Sequence, residues 1–247
     1  MKRLLIIPAA GPGSRLRSKL PKPLYPVDGR PMIDYLLELY SPWVGRFIVV
    51  ASPATADRIE AHCSVQPADI ELAVQPSPTG MLDAILAPHQ RVAELEPESV
   101  WVTWCDQIAV HPATIAELAA SSGDRPEAAL ILPTVRRRDP YIHLRRDHDG
   151  EIVEVLQRRE GDRMPAVGES DMGLFCLSGV AYRDLLPLFS KWVGPGSGTA
   201  ERNFLPFIPW LSGRGAVRTF AARSEIEATG VNTPEDALAL ERHFRGA

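Results

Sequence analysis

The sequence predicts an α/β fold: a doubly wound, mostly parallel sheet with a mixed α+β part packed on it. Three observations predict it. The first half alternates apolar runs with amphipathic segments. Those runs are apolar throughout, as strands covered on both faces are. Beyond residue 140 the pattern changes to alternating strands about a turn.

The elements follow in order. LLIIPA (4–9) reads as a strand, closed by proline and glycine. PMIDYLLELY (31–40) reads as a helix opening at Pro31. RFIVVAS (46–52) is a second strand, TADRIEAHC (55–63) a helix and DIELAVQ (69–75) a third strand. GMLDAILAPHQRVAEL (80–95) is expected as one helix, SVWVTWCD (99–106) as a strand and HPATIAELAAS (111–121) as a helix. EAALILPTV (127–135) is a fifth strand. YIHLRRDHDGEIVEVLQ (141–157) reads as a hairpin turning at Asp149-Gly150. DMGLFCLS (171–178) is a further strand, and GPGSGT (194–199) a flexible turn. AERNFLPFIPWL (200–211) is a proline-interrupted helix and AVRTFAA (216–222) a late strand. The closing helix, TPEDALALERHF, has Thr233 to cap it, Pro234 at its first position and Asp236 three on from the cap.

The 247 residues carry a formal charge of −4, with 45% hydrophobic and 23% charged residues. That is an ordinary globular composition, large enough for a core without staples. The mild negative charge excludes a general nucleic-acid binder. No run of about 18 apolar residues exists, so no membrane span is expected. Cys63, Cys105 and Cys176 are widely spaced, with no zinc pattern; they read as reduced thiols of a cytoplasmic protein.

One stretch stands against the overall charge. PAAGPGSRLRSKLPKPL (8–24) follows the first strand and places Arg15, Arg17, Lys19 and Lys22 before any acid. Its glycines, Gly11 and Gly13, let backbone N–H groups approach a ligand. A loop at the carboxyl edge of a parallel sheet is where ligands bind in such folds. Basic groups there suit a polyphosphate. The spacing is neither a Walker A loop nor a dinucleotide fingerprint, since Leu16 stands where the third glycine would be.

PAAGPGSRL (8–16) followed by PKPLYPVDGRPMIDYLL (21–37) resembles the signature of sugar-1-phosphate nucleotidyltransferases. VQPSPTGMLDAI resembles the base-binding loop of glucose-1-phosphate thymidylyltransferases, and WVTWCDQI the strand that carries the family's metal aspartate. DPYIHLRRDHDGEIVEV resembles the hairpin over the sugar and ESDMGLFCLS the Asn-x-Gly strand. EATGVNTPEDALALE combines the Gly-Val-Asn of N-acetylglucosamine-1-phosphate uridylyltransferases with a common closing helix. The motifs cover nearly the whole chain in order.

The resemblance implies a Rossmann-like nucleotidyltransferase fold in one domain, 1–247. Within it lie a nucleotide-binding half (1–135), a sugar-phosphate-binding part (136–230) and a closing helix (231–247). It implies that a nucleoside triphosphate and a sugar 1-phosphate give a nucleotide-sugar and pyrophosphate, with Mg2+ as cofactor. Neither nucleic acid nor membrane is a partner in this reading; a homo-oligomer is compatible with it. By motif match, Ala10, Gly11, Gly13, Ser14 and Arg15 hold the triphosphate. Lys22 bridges the α-phosphate and the attacking sugar phosphate. Asp106 and Asn232 bind metal; Gln75 and Gly80 read a base, a pyrimidine by resemblance; Glu154 and Asp171 take sugar hydroxyls. No covalent intermediate is implied.

Alternatives accompany these roles. Asp106 also reads as a strand-end helix cap, Asn232 as a turn residue, and Gln75 and Gly80 as a polar loop. A register anchored on TPED puts Gly230 at the second metal position. Arg17 and Lys19 fall outside the motif and read equally as solvated charges. Cys105 replaces the family's glycine, which is expected to crowd the site; with no partnered histidine it is not expected as a nucleophile. Asp171 replaces an asparagine. His143 and His148 read as surface residues, RREGDRMP (158–165) as a solvated loop, and VRRRD (135–139) as a solvated strand end. No acyltransferase repeat domain is expected after the closing helix. The second functional reading is a cytidylyltransferase acting on a non-sugar phosphate or phosphonate, because methylerythritol-phosphate cytidylyltransferases share PAAG-x-G-x-R and a TPED tail. The third is a nucleotide-sugar-binding protein without turnover.

Overall fold

Apolar strands from both halves of the chain enter one buried sheet. The structure, a computed structural model, describes residues 2–124, 127–214 and 216–246. β1 (Arg3–Pro8) is followed by a small ribbon, β2 (Pro26–Val27) with β3 (Arg30–Pro31), and by α1 (Met32–Tyr40). β4 (Arg46–Ala51), α2 (Ala56–Cys63), β5 (Ile70–Val74), α3 (Met81–Leu86), α4 (His89–Leu95), β6 (Ser99–Thr103) and α5 (Pro112–Asp124) continue the alternation. β6, β1, β4 and β5 lie side by side, all parallel.

The back half completes the sheet with mixed strands. β7 (Leu130–Arg138), the hairpin β8 (Ile142–Arg146) and β9 (Ile152–Gln157), β10 (Val167–Asp171) and β11 (Leu174–Ser178) come first. α6 (Leu186–Ser190), α7 (Phe207–Ser212), β12 (Val217–Ala221) and α8 (Pro234–Phe244) follow. β11 joins β6 antiparallel, β10 and β11 both pair antiparallel with β7, and β12 pairs parallel with it.

The chain alternation of β1 sets two cores. Leu5 and Ile7 face a cluster holding Met32, Leu36, Ile59, Ile115 and Leu240, from α1, α2, α5 and α8. Leu4 and Ile6 face the other, with Leu82, Val92, Leu186, Phe207 and the hairpin residues Leu144 and Ile152. Helices thus cover both faces, which is the doubly wound arrangement expected.

Several expectations need correction. The segment 80–95 forms two helices, because Pro88 has no N–H to donate and its ring clashes with the preceding turn. β7 runs on through the three arginines to Arg138, because β10 pairs with that end. β10 was not expected; it and β11 form one interrupted strand along β7, broken at Met172-Gly173, where Gly173 takes φ +69°. Only 207–212 of the segment 200–211 is helical. The stretches 158–165 and 194–199 are tied to each other: Gly198 N–H and the Thr199 hydroxyl donate to the Glu160 carboxylate at 2.8 and 2.6 Å. His143 is packed rather than surface, its Nδ1 3.0 Å from the Glu169 carbonyl. Asp147 shapes the hairpin turn by accepting from the N–H groups of Asp149 and Glu151, both at 3.0 Å.

Gly80 shows how tightly the halves meet. It holds φ +127°, and a Cβ there would lie 2.5 Å from both the amide nitrogen and the carbonyl oxygen of Arg202. Gly80→Ala is therefore expected to cost about 3 kcal/mol or more. Gly150→Ala, at φ +84° but in open space, should cost about 1 kcal/mol. Urea midpoints of the two variants check the difference.

Candidate active site

β1 and β6 are parallel neighbours, so the loops that leave them emerge at the same edge of the sheet. The loop after β1 is pinned at both ends. Ala9 N–H donates to the Val50 carbonyl at 2.8 Å, and Leu16 is buried. Between these anchors Gly11, Ser14 and Arg15 are exposed, whereas Ala10 is largely buried. Gly13 stands at φ +58°, where a Cβ would lie 2.9 Å from the Lys22 Cβ. The loop can fold back on Lys22 only because that position has no side chain.

Lys22 is the centre of the site. Its Nζ donates to Asp106 Oδ2 at 2.5 Å and to Asn232 Oδ1 at 2.9 Å. Arg15 donates to the same Asn232 oxygen at 2.8 Å. Burial works against the Lys22 ammonium, but the Asp106 carboxylate outweighs it and holds the pKa above the ordinary lysine value. The loop before α8 closes the cluster. Val231 N–H donates to the Asp106 carbonyl at 3.1 Å, and a Cβ on Gly230 would lie 3.1 Å from Asp106 Cγ. Asn232 is fixed by the helix start: its N–H donates to Asp236 Oδ2, the carboxylate that completes the Thr233 capping box.

This donor set fits a small divalent cation. Asp106 Oδ2 and Asn232 Oδ1 already converge on one positive group, the Lys22 ammonium. Hard oxygen ligands of this kind suit magnesium. Gly230 packs closely on Asp106, and it is Asn232 whose side-chain oxygen faces Lys22.

The other candidates fall into separate groups. Gln75 is buried and donates through Nε2 to the Gly80 carbonyl at 3.1 Å. Gln75 lines a groove walled also by Val74, Pro76, Ser77, Thr79 and Asp83. Gly80 has no room on its Cβ side for a ring, because the Arg202 backbone fills it. Glu154 is exposed and bound to Arg145 at 2.7 Å on the hairpin. Gln157, passed over in the sequence, is the buried polar residue at the inner end of β9. Cys105 is buried in the first core, and burial pushes its thiol up to about 12. It is a protonated thiol turned into packing, and does not crowd an open site. The side chains of Arg17 and Lys19 are exposed and make no hydrogen bond or ion pair among the described residues.

Asp171 ends β10 and is buried. It accepts from Gly173 N–H at 2.9 Å, and the Gly173 carbonyl accepts from Trp104 N–H at 3.0 Å, two residues before Asp106. Burial raises its pKa to about 6, the backbone donors offsetting only part of that effect. The folded chain thus holds this proton more tightly than the unfolded one. Its contribution to stability is complete below pH about 4 and is lost as pH rises through about 6. Asp171→Asn keeps the acceptor and removes the charge. At pH 7.5 the variant is expected to be more stable than the parent by as much as about 3 kcal/mol, the gap closing near pH 4. Urea unfolding across that range tests it; a parent that gains stability relative to the variant from pH 4 to 6 would refute the burial argument.

Residues 5–170 match the MobA-like NTP transferase domain. The chain is 27% identical over 246 residues to the bifunctional protein GlmU of Pelotomaculum thermopropionicum, covering 97% of this chain and 51% of that protein. It is 25% identical over 246 residues to GlmU of Cellvibrio japonicus, covering 98% and 52%, and 27% identical over 247 residues to GlmU of Pseudomonas paraeruginosa, covering 98% and 51%. The chain spans about half the length of these relatives. No helix among the described residues is long and apolar enough to cross a membrane. The family match and the cluster around Lys22 agree with the motifs: the chain belongs to the MobA-like NTP transferase domains, within the sugar-1-phosphate nucleotidyltransferase family.

Proposed function

We propose that this nucleotidyltransferase condenses a nucleoside triphosphate with a sugar 1-phosphate, giving a nucleotide-sugar and pyrophosphate. The observation that carries this reading is the convergence of Arg15, Lys22, Asp106 and Asn232 at the edge of β1 and β6. In this reading residues 1–135 serve the nucleotide, 136–230 the acceptor phosphate and 231–247 close the domain.

An oxygen of the sugar phosphate attacks the α-phosphorus. The bond from that phosphorus to the bridging oxygen breaks, and pyrophosphate leaves with the electron pair. Two anions must meet, so the chief barrier is charge. Lys22 stands where it can neutralise both, and Arg15 and the N–H groups of Gly11, Gly13 and Ser14 hold the departing phosphates. Asp106 and Asn232 would hold magnesium, which when bound neutralises phosphate charge. The chain supplies position and charge; the protonated Cys105 thiol offers no nucleophile. Gln75 lies in the groove that serves the base, and Asp171 on the acceptor side.

Pyrophosphate release with a panel of triphosphates and acceptor phosphates tests the reading. Turnover is expected with UTP or dTTP and a sugar 1-phosphate, and excess EDTA should abolish it. Asp106→Ala should lower kcat roughly a thousandfold or more with the fold intact by circular dichroism. Turnover only with CTP and a non-sugar phosphate would favour the cytidylyltransferase alternative. Binding of nucleotide-sugar with no pyrophosphate from any pair would favour a non-catalytic protein.

Lys22 and Arg15 are expected to fail differently. Lys22→Ala should lower kcat by about a hundredfold or more, with a smaller effect on nucleotide KM, because the repulsion it screens peaks as the bond forms. Arg15→Ala should raise nucleotide KM clearly as well. Arg17→Ala and Lys19→Ala should change either constant less than about fivefold. Steady-state kinetics of the four variants decides the assignment.

A further inference from the structure

The segment 194–203 has no buried residue, yet its conformation is closely specified. Ala200 takes φ +55°, uncommon for a residue with a side chain and retained only where surroundings enforce it. Ala200 N–H donates to the Gly196 carbonyl at 3.0 Å and Gly196 N–H to the Glu201 carbonyl at 2.8 Å, and one carboxylate ties the turn they close to the rest of the chain. Glu160 Oε2 accepts from Gly198 N–H at 2.8 Å and Thr199 N–H at 3.3 Å. Its Oε1 accepts from the Thr199 hydroxyl at 2.6 Å and Asn203 Nδ2 at 2.8 Å. These donors outweigh the burial that opposes the charge and hold the carboxyl at about 2. The glycines serve the same contact. A Cβ on Gly196 would lie 2.3 Å from Glu160 Oε2, and one on Gly198 would lie 2.4 Å from the Arg159 carbonyl.

The far end of the segment grips the base loop. Arg202 N–H donates to the Thr79 carbonyl at 2.7 Å, and Leu82 N–H donates to the Arg202 carbonyl at 3.0 Å. The Arg202 guanidinium bonds Asp83 and the Ser190 carbonyl. Glu160 itself lies three residues beyond Gln157, the end of the hairpin strand β9.

We infer that 194–203 is a strap coupling the base loop, 75–82, to the acceptor hairpin, with Glu160 as its positioning residue. This rests on the proposed function, which assigns the base to the first loop and the sugar phosphate to the second. The strap sets the spacing of the two loops, so a ligand that orders one helps order the other. Glu160 touches neither reactant. Its charge acts through Thr199, Asn203 and Arg202, and a neutral or shorter group at 160 loosens the base loop.

Hydrogen exchange and nucleotide binding on the full chain test this together. In Glu160→Ala, exchange at the Leu82 and Arg202 amides should quicken by about tenfold or more, with Ile6 of β1 unchanged. Binding of UTP in the presence of magnesium, by calorimetry, should weaken about tenfold. Thr199→Val should act in the same direction but less. The double variant should be no weaker than Glu160→Ala alone, since both cut one link. Unaltered exchange at Leu82, or a rise shared equally by Ile6, would overturn the strap, because the second pattern is general loss of stability. A parent that binds neither UTP nor dTTP would sink the base-loop assignment; exchange at Leu82 would then decide the strap by itself.

Discussion

An ammonium and a carboxylate withdrawn from water must find each other, and Lys22 and Asp106 do so 2.5 Å apart where three remote segments meet. The rest of the site depends on this contact. Gly13 has no side chain, so the loop after β1 can lie on Lys22. Gly230 has none, so the loop before α8 can lie on Asp106. The Thr233 capping box then turns Asn232 toward both cations. Helix capping, ordinarily a matter of local stability, here orients the Asn232 oxygen that Arg15 and Lys22 share.

The same contact explains the local reversal of charge in a chain of net −4. Arg15 and Lys22 share an acceptor, so the repulsion between them is screened by Asn232 and Asp106. Arg17 and Lys19 remain exposed, where water does the screening. Ala9 and Leu16 anchor the loop at both ends, so the donors of Arg15 and Lys22 are presented from a fixed backbone. That is preorganisation, and it holds two cations at the edge of the sheet where β1 and β6 both end.

The parallel core was legible because its strands are short apolar runs closed by proline or glycine; LLII and RFIVVA leave no other reading. The cluster of Arg15, Lys22, Asp106 and Asn232 was legible through motif order. Positions that depend on register were not. A bulge between Arg145 and Arg146 breaks simple alternation in the hairpin, and so Glu154 faces outward while Gln157 turns in. The interruption at Met172-Gly173 hid β10, because its residues, VGESD, lack an apolar run and are held by pairing with β7. Pro88 breaks 80–95 through its missing N–H, a local effect that the helical apolar spacing on either side of it masks. Glu160 carried no signal at all: its partners lie 38 to 43 residues away, in a stretch whose composition reads as flexible.

Asp106, Asp171 and Glu160 show three ways of keeping a carboxyl group in this chain. Asp106 is met by a cation, Lys22. Glu160 is met by neutral N–H and O–H donors, which is enough to hold it at about 2 because it stays near the surface. Asp171 is deeper, with backbone donors and no ion pair among the described residues, and its carboxyl rises to about 6. The contrast between Glu160 and Asp171 follows from desolvation against compensation rather than from residue type. It also separates the tasks. Glu160 keeps its charge at any pH the protein meets and can hold a loop permanently. Asp171 can change its protonation near neutrality, within a few residues of the strand that carries Asp106. Asp106 stays beside the cation that shares its burial, Lys22.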